Sequence, residues 1–343
     1  MTALLVGGYG ADGGGSAPGI GWAEIEPSGA LTYRGVLAEV ASPSWLTRRG
    51  DLLLAALEPS ARLAGFRIER APGAPRLAPL GEPVPTSAAA CSIAVAGDEA
   101  LVAGYVDGVV AVHPLGENGP EPAVQRIAGE GSGPLPAQAS PHAHAALVLA
   151  SGEVLTADLG ADRVYRLVWG SSGWERRGEI ALPPGTGPRD LLALPDGRVA
   201  VLGEWGRTVH LLEPTPGADA GRAGGADGPG WRVGPGAVVP GGEDGGQAAG
   251  LVASPDGRTL YAAVRGPDVI GALALDDDGL RKLAATPCGG SWPRHLLAHD
   301  GLLHASLQLA DAVASFRLGA DGGLEPVGAP TPVPSPTCLA PLG

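Results

Sequence analysis

Residues 187–204 carry the clearest folding signal in the chain. They read GPRDLLALPDGRVAVLGE, which is an apolar run, a Pro-Asp-Gly turn and a second apolar run. An Asp-Gly turn between two apolar runs predicts a tight antiparallel β-hairpin. The first strand of a hairpin starts at the edge where the second strand ends. We therefore expect Arg189 and Glu204 to be close neighbours.

The same unit recurs along the chain at intervals of about 45 residues. The first apolar runs begin near Ser44, Cys91, His142, Arg189, Ala248 and Arg294. The second runs end at Glu58, Tyr105, Asp158, Glu204, Arg265 and Gln308. A repeat of this length, with about four short strands in each copy, is typical of a β-propeller blade.

The two ends of the chain are predicted to form one further blade together. The N-terminal strands, Ala3 to Tyr9 and Gly19 to Glu26, follow no run of the repeat type, whereas Cys338 to Leu342 resembles the start of a repeat and then stops. We therefore expect the last strand to pair with the first, which would close seven blades into a ring within a single domain spanning 1–343. Closure removes exposed edge strands, which invite aggregation.

Six other blades are predicted at 44–85, 91–131, 142–183, 187–239, 247–287 and 292–333. A Gly-rich segment at about 214–230 has almost no large apolar side chain. We expect it to be a mobile loop between the third and fourth strands of its blade.

Composition and charge restrict the possible partners. The chain has 57 Gly, 34 Pro and only 2 Phe, which suits an all-β fold of short strands joined by tight turns. Its net charge of −13 argues against a nucleic acid or an anionic membrane as the partner of the whole surface. A local cationic pocket remains compatible with this charge.

The cysteines and the N-terminal residues bear on metal binding and location. Cys91, Cys288 and Cys338 have no metal-binding spacing, and their odd number argues against a disulfide framework. No His, Asp or Glu spacing signals a metal either, so we predict no metal site, and no cofactor is predicted. The first strand begins almost at once and no basic segment with an apolar run precedes it, so a cytoplasmic location is expected.

Candidate functional residues lie where loops lead into the first strand of each repeat and where the second strand ends. In a propeller both positions share one face around the central channel. The first group contains Trp45, His142, His144, Arg189, Trp292, Arg294 and His295. The second group contains Glu58, Tyr105, Asp158, Glu204, Arg265 and Gln308. His, Arg and Glu side chains that converge from different blades indicate a functional site more strongly than any one of them alone.

Several motifs, in this order, resemble the seven-bladed β-propeller lactonase family. They are Ser140 to His144 (SPHAH), Asp158 to Arg163 (DLGADR), Gly187 to Arg189 (GPR), Gly203 and Glu204, Ser254 to Arg258 (SPDGR), Arg265, and Pro293 with Arg294. The family includes propeller-type 6-phosphogluconolactonases and carboxy-cis,cis-muconate cyclases, and the resemblance extends over essentially the whole chain. Two positions differ from the family pattern: Asp190 stands where a His is common, and Gly250 where a Glu is frequent.

The resemblance implies a catalytic set of one His, two Arg and one Glu on the channel face. Carried over by motif, this set is His142 or His144 with Arg189, Glu204 and Arg265. The motif does not decide between the two histidines, and we favour His142. The predicted substrate-binding residues are Trp45, Glu58, Tyr105, Arg294, His295 and Gln308.

The implied chemistry is the opening or closing of a lactone ring in an anionic small molecule. Guanidinium groups would bind the anionic group and the oxyanion, since they hold such groups bidentately. A histidine would act as general base, and Glu204 would orient it or carry a proton. The leading hypothesis is a lactone hydrolase resembling 6-phosphogluconolactonase, and the first alternative is a cyclase that forms a ring.

Other interpretations remain open. The protein could be a non-catalytic propeller that binds a partner through an apolar rim. Arg189 and Arg265 could form a buried ion network with Glu204 and Glu58. Trp45 and Tyr105 could pack the channel. We expect Asp158 to brace a turn through backbone amides.

Overall fold

Seven antiparallel sheets form a closed ring in the computed structural model, which describes residues 3–70, 73–215 and 230–342. Within these ranges the helical segments are three short 3₁₀ turns, at Ala11–Gly13, Pro136–Gln138 and Gln308–Ala310. This architecture is a seven-bladed β-propeller and confirms the predicted all-β fold class. Within the same ranges, no helix has the length and apolar character needed to cross a membrane.

The strands follow one another along the chain, blade by blade. Those of the N-terminal third are β1 (Ala3–Gly8), β2 (Ile20–Ile25), β3 (Leu31–Ala38), β4 (Pro43–Arg49), β5 (Leu52–Leu57), β6 (Arg62–Glu69), β7 (Arg76–Pro79), β8 (Val84–Pro85), β9 (Ala90–Ala96), β10 (Glu99–Gly104), β11 (Val109–Gly116), β12 (Gly119–Pro120) and β13 (Gln125–Ala128). Those of the middle are β14 (Ala143–Val148), β15 (Val154–Asp158), β16 (Arg163–Gly170), β17 (Gly173–Ala181), β18 (Pro188–Ala193), β19 (Val199–Gly203), β20 (Thr208–Pro214) and β21 (Trp231–Val238). The last are β22 (Gln247–Ala253), β23 (Thr259–Arg265), β24 (Val269–Asp276), β25 (Gly279–Pro287), β26 (Pro293–His299), β27 (Leu302–Leu307), β28 (Ala312–Leu318), β29 (Leu324–Pro326), β30 (Thr331–Pro332) and β31 (Pro336–Pro341).

Blade 1 closes the ring as the sequence predicts. Its sheet has the order β3-β2-β1-β31, and the C-terminal strand β31 pairs antiparallel with β1, with Leu5 opposite Ala340. Blades 2 to 7 start at β4, β9, β14, β18, β22 and β26. Each of these innermost strands contacts the innermost strands of both neighbouring blades, so the seven surround a central channel. The Gly-rich loop predicted at 214–230 falls mostly on 216–229, which lie outside the described residues.

The hairpin predicted at 187–204 is the pair β18 and β19. Its turn is closed by hydrogen bonds from Leu194 N to Arg198 O (2.9 Å) and from Gly197 N to Leu194 O (3.1 Å). Gly197 has φ 86°, a left-handed conformation that glycine adopts without steric cost. The Pro-Asp-Gly sequence therefore fixes the turn locally, before any blade packs on another.

Apolar side chains fill the spaces between adjacent blades. Tyr261 of β23, Leu303 of β27 and Phe316 of β28 belong to one buried cluster between blades 6 and 7. Burial of each large side chain of this kind contributes about 1.5–3 kcal/mol. Because each blade packs on two neighbours, this stabilisation depends on a complete ring.

A β-bulge recurs near the start of every innermost strand. In blade 5, Pro188 pairs with Gly203 and Asp190 pairs with Leu202, which leaves Arg189 as the extra residue. The extra residues in blades 1 to 7 are Thr337, Ser44, Cys91, His144, Arg189, the pair Ala249 and Gly250, and Arg294. We call these seven positions the bulge ring. A bulge bends its strand and changes the direction of one side chain.

Candidate active site

The bulge ring surrounds a cavity of about 120 Å³ in the central channel, to which every blade contributes. The bulge-ring residues on its wall are Ser44, Cys91, His144, Arg189, Gly250, Arg294 and Thr337. The rest of the wall is formed by Trp45, Glu58, Ser92, Ile93, Ala145, Ala146, Asp190, Leu191 and His295. Two arginines and two histidines therefore line one small cavity in a protein whose net charge is −13.

Arg189 and Glu204 are in contact, as the hairpin predicts. Arg189 Nε donates a hydrogen bond to Glu204 Oε2 at 2.7 Å, and Arg189 Nη1 donates to the carbonyl of Ala249. The second carboxylate oxygen of Glu204 lies 3.0 Å from Arg265 Nη2. All three charged side chains are nearly buried, with 7%, 11% and 6% of the Arg189, Glu204 and Arg265 side chains exposed. Glu204 thus joins two arginines of neighbouring blades.

Arg265 lies behind this pair and is not part of the cavity wall. Its guanidinium packs over the ring of Trp292 at 5.3 Å, and its Nε and Nη2 face the carbonyls of Gln247 and Ala248 at 3.4 Å. Burial and the nearby charge of Arg189 lower the pKa of Arg265 to about 10, so it stays cationic at neutral pH. This position suits it to hold Glu204 and, through it, Arg189.

Arg294, the other arginine of the cavity wall, is held by Tyr9 and Glu58. Arg294 Nη2 donates to the hydroxyl of Tyr9 at 2.7 Å, and that hydroxyl donates to Glu58 Oε2 at 2.7 Å. The guanidinium also lies 4.9 Å from the centre of the Tyr9 ring. Burial raises the pKa of Tyr9, so its hydroxyl keeps its proton.

Tyr9 is not among the residues predicted from the sequence, although the same positional rule applies to it. Once β31 is the innermost strand of blade 1, β1 becomes the second strand and Tyr9 follows its end. Tyr9 N donates to Ser335 O at 3.1 Å, as Glu204 N donates to Gly187 O at 2.8 Å. Tyr9 is therefore the blade 1 equivalent of Glu204, and the repeat pattern could have revealed it.

Of the two candidate histidines, His144 lies in the bulge ring and on the cavity wall. Its pKa is well below the ordinary value of 6.5, because burial and the charges of Arg189, Arg294 and Arg265 disfavour the imidazolium. The ring of His144 hydrogen-bonds to its own backbone, and neither ring nitrogen hydrogen-bonds to another residue in the described part of the chain. The imidazole is therefore neutral and free to accept a proton.

His142, which we favoured from the sequence, lies two residues earlier, in the loop directly before β14. Its Nδ1 is 2.6 Å from the carbonyl oxygen of Tyr105, and its ring stacks on the Tyr105 ring with centroids 4.6 Å apart. Asp158 Oδ1 accepts hydrogen bonds from the backbone N–H groups of His142, Gly160 and Ala161. Tyr105 also meets His144 edge to face at 6.1 Å. His142 and Tyr105 thus form a layer beside the cavity rather than part of its wall.

The other predicted binding residues are divided between the cavity and its surroundings. Trp45 and His295 line the cavity and pack edge to face at 5.5 Å. His295 Nδ1 accepts a hydrogen bond from Leu339 N at 3.3 Å, and burial lowers its pKa to about 4, so this ring is neutral with its proton on Nε2. Gln308 lies outside the cavity wall, and its N–H donates to Trp292 O at 3.1 Å.

The two departures from the family pattern have local structural explanations. Asp190 Oδ2 accepts a hydrogen bond from Leu251 N at 3.1 Å and so ties blade 5 to the bulge of blade 6. Burial raises the pKa of this carboxyl group. At Gly250 a Cβ would lie 2.8 Å from Leu296 N, because blade 7 approaches closely there.

The cavity wall brings together the neutral imidazole of His144, the guanidinium groups of Arg189 and Arg294, and the carboxyl groups of Glu58 and Asp190. It can bind an anion, accept a proton and stabilise negative charge that develops on an oxygen atom. Among residues 3–70, 73–215 and 230–342, no group of three or more His, Cys, Asp or Glu side chains is arranged to hold a metal ion. Burial raises the pKa of the Cys91 thiol on the cavity wall, which disfavours its thiolate.

Comparison with known proteins identifies the family. Residues 3–341 match the family model described as lactonase, 7-bladed β-propeller. The 6-phosphogluconolactonase of Bacillus subtilis strain 168 is 26% identical over 325 residues, which cover 90% of each chain.

Two solved structures share the fold over the whole chain. One is the periplasmic gluconolactonase of Pseudomonas aeruginosa, with a TM-score of 0.82, 23% identity and coverage of 100% of this chain and 99% of that one. The other is a protein from Lactobacillus plantarum, with a TM-score of 0.88, 22% identity and full coverage of both chains. The resemblance predicted from the SPHAH and GPR motifs is confirmed, and the chain belongs to the lactonase family of seven-bladed β-propellers.

Proposed function

We propose that the protein is a lactone hydrolase that opens the ring of an anionic small-molecule lactone. The observation that carries this proposal is the adjacency of His144 and Arg189. They are the bulge residues of neighbouring innermost strands and line the same cavity. A general base and an oxyanion-binding group are the two functions that hydrolysis of an ester bond requires.

His144 acts as the general base. Because its pKa lies well below 6.5, the imidazole is unprotonated at neutral pH. It accepts a proton from water while the water oxygen forms a bond to the lactone carbonyl carbon. The carbonyl oxygen then carries the negative charge of a tetrahedral intermediate.

Arg189 stabilises that charge. Its Nε and Nη1 are occupied by Glu204 and the Ala249 carbonyl, whereas Nη2 has no acceptor in the described part of the chain. Glu204 fixes the guanidinium in one orientation, and Arg265 in turn fixes Glu204. The donor is thus oriented before the reaction, which is the main requirement for electrostatic stabilisation of a transition state.

The proton on His144 is returned in the second step. When the intermediate collapses, the bond to the ring oxygen breaks and that oxygen receives the proton from the imidazolium. Burial beside three arginines makes the imidazolium unstable, which favours this transfer. The products are a hydroxyl group and a carboxylic acid, which ionises to a carboxylate and releases the second proton of the water to solvent, and no oxidation or reduction takes place.

The decisive experiment compares the two histidines. We would measure hydrolysis of a panel of lactones by pH-stat for wild type, His144→Gln and the matched control His142→Gln. The expected result is a fall in kcat of about 10²- to 10⁴-fold for His144→Gln, and a loss of less than about tenfold for His142→Gln. The reverse order would assign the base to His142, and no turnover of any lactone by wild type would refute the proposal.

The cyclase alternative would use the same groups to form a ring, so analysis of the products separates it from hydrolysis.

A binding scaffold would present a broad apolar rim. The exposed large apolar side chains in the described ranges come from several blades and include Val36, Val106, Trp169 and Leu309. These side chains are spread over several blades, whereas the charged side chains converge on one cavity, and this arrangement favours an enzyme over a scaffold. The cytoplasmic location stays a prediction from the sequence.

A further inference from the structure

We propose that Arg294 forms a subsite for an anionic group of the substrate remote from the lactone carbonyl, and that Tyr9 is the positioning residue that keeps Arg294 available. This inference rests on the proposed function, because it assigns the reacting carbonyl to the opposite part of the same cavity. It divides the cavity into a reaction end at His144 and Arg189 and an anion-binding end at Arg294.

The bulge ring sets the positions of the two ends. His144 belongs to blade 4, Arg189 to blade 5 and Arg294 to blade 7. Blade 6, between the two arginines, contributes only Ala249 and Gly250 to the ring. A substrate that spans the two arginines therefore meets no bulky bulge-ring side chain from blade 6. It can present its carbonyl beside His144 and a second polar group to Arg294.

Arg294 has hydrogen-bond donors to spare. Its side chain is 19% exposed, and Nη2 donates to Tyr9. Its Nε and Nη1 have no acceptor among the residues that the structure describes. A guanidinium carries five N–H donors, and a buried cation is costly unless an anion complements it. The unused donors and the position on the cavity wall point to an oxyanion ligand such as a phosphate or carboxylate group.

Tyr9 keeps Glu58 from hydrogen-bonding directly to Arg294. The Tyr9 hydroxyl oxygen lies 2.7 Å from Glu58 Oε2 and 2.7 Å from Arg294 Nη2. Glu58 Oε2 and Arg294 Nη2 are themselves 4.0 Å apart. Without the hydroxyl, the carboxylate could close on the guanidinium as a direct bidentate pair and occupy the donors that a ligand needs. The inserted hydroxyl satisfies Glu58 and leaves the other face of the guanidinium free.

The test uses two lactones that differ only in a remote phosphate group. For Tyr9→Phe and for Arg294→Gln we expect the ratio of kcat/KM for the phosphorylated lactone to kcat/KM for the neutral lactone to fall about 10- to 100-fold relative to wild type. The double variant should be no worse than Arg294→Gln alone, because Tyr9 acts through Arg294. Equal losses for both lactones, or additive losses in the double variant, would overturn the proposal.

A matched control is Tyr165→Phe. The Tyr165 hydroxyl also bridges two groups, since it donates to Glu130 O at 2.8 Å and accepts from Glu130 N at 3.0 Å, but Tyr165 is not on the cavity wall. This variant should leave both lactones unaffected. If it changed the ratio between the two lactones as Tyr9→Phe does, the ratio would not report on Arg294.

Calorimetric titration with inorganic phosphate tests the subsite independently of turnover. Wild type should bind phosphate at least tenfold more tightly than Arg294→Gln or Tyr9→Phe, with Tyr165→Phe like wild type. If this pattern holds while wild type hydrolyses no lactone, the subsite stands and the proposed function fails. If phosphate binds all four proteins equally, the subsite is wrong, whatever the activity.

Discussion

Replacement of Glu204 by Gln should separate architecture from chemistry in the arginine network. Glu204 accepts from Arg189 Nε at 2.7 Å and lies 3.0 Å from Arg265 Nη2, and its side chain is 11% exposed. Glu204→Gln would leave two buried guanidinium groups beside a neutral amide. By contrast, Arg189→Ala would leave Glu204 still paired with Arg265. The geometry thus predicts that loss of the shared carboxylate costs more stability than loss of Arg189.

The magnitudes follow from burial. Breaking a buried ion pair by removing one partner costs about 3–5 kcal/mol, and the amide leaves both arginines without an anion. Arg189→Ala removes one hydrogen bond to Glu204, which keeps Arg265, and one to the carbonyl of Ala249. It also removes the repulsion between Arg189 and Arg265, so the net cost should be about 1.5–3 kcal/mol. The 343 residues give an unfolding entropy of about 0.7 kcal/mol/K. The melting temperature should therefore fall by about 4–7 °C for Glu204→Gln and by about 2–4 °C for Arg189→Ala.

Thermal melts followed by circular dichroism, together with lactone turnover, measure both effects. The matched control is Glu153→Gln, which breaks a buried pair with Arg166 in blade 4, where Arg166 Nε lies 2.8 Å from Glu153 Oε1. This control should lose comparable stability and keep kcat/KM. Arg189→Ala should lose activity by at least about 100-fold. If Arg189→Ala lowered the melting temperature more than Glu204→Gln did, Glu204 would not be the shared centre of the network.

Three further outcomes are expected. The rate of hydrolysis should stay constant as pH falls from 7.5 through 6.5, because the pKa of His144 lies well below 6.5 and the imidazole remains neutral. A loss of activity with an apparent pKa of 6.5 or higher in the pH–rate profile would contradict the role of His144. Burial lowers the pKa of His304 to about 4, so the unfolded chain binds this proton first. The contribution of His304 to the free energy of unfolding should therefore fall by up to about 3 kcal/mol as pH falls from 6.5 to 4. In chemical denaturation His304→Gln should show a shallower pH dependence over that range, and an unchanged slope would contradict the assignment. A chain that ends at Thr337 should aggregate at temperatures where the full chain is folded, because β1 loses its pairing partners Cys338, Leu339 and Ala340. Light scattering measures this aggregation, and a soluble ring of unchanged melting temperature would refute closure by β31.

Local signals in the sequence were sufficient for the architecture. The Pro-Asp-Gly turn at 195–197 predicted the hairpin of β18 and β19, and its repetition predicted the blades. A run near Cys338 that resembles half a repeat predicted that the C-terminus completes blade 1. These features depend on hydrogen bonds between strands adjacent in sequence and on the need to cover sheet edges, both of which can be inferred from the order of apolar runs and turns.

The contact of Arg189 with Glu204 was predictable for the same reason, since one hairpin carries both residues. The contact of Glu204 with Arg265 was not, because it crosses from blade 5 to blade 6 and depends on how the two sheets pack. Likewise, the hydroxyl of Tyr9 reaches Arg294 only because the ring closes between blades 7 and 1.

Which of His142 and His144 lies on the cavity wall depended on the bulges. Side chains of a regular strand alternate between its two faces, and a single extra residue shifts that alternation for the rest of the strand. The amino-acid sequence determined the seven blades, their closure and the group of residues near the channel. Only the tertiary structure decided that His144, Arg189 and Arg294 face the cavity, because a bulge is a property of the register between two strands and no single residue type encodes it.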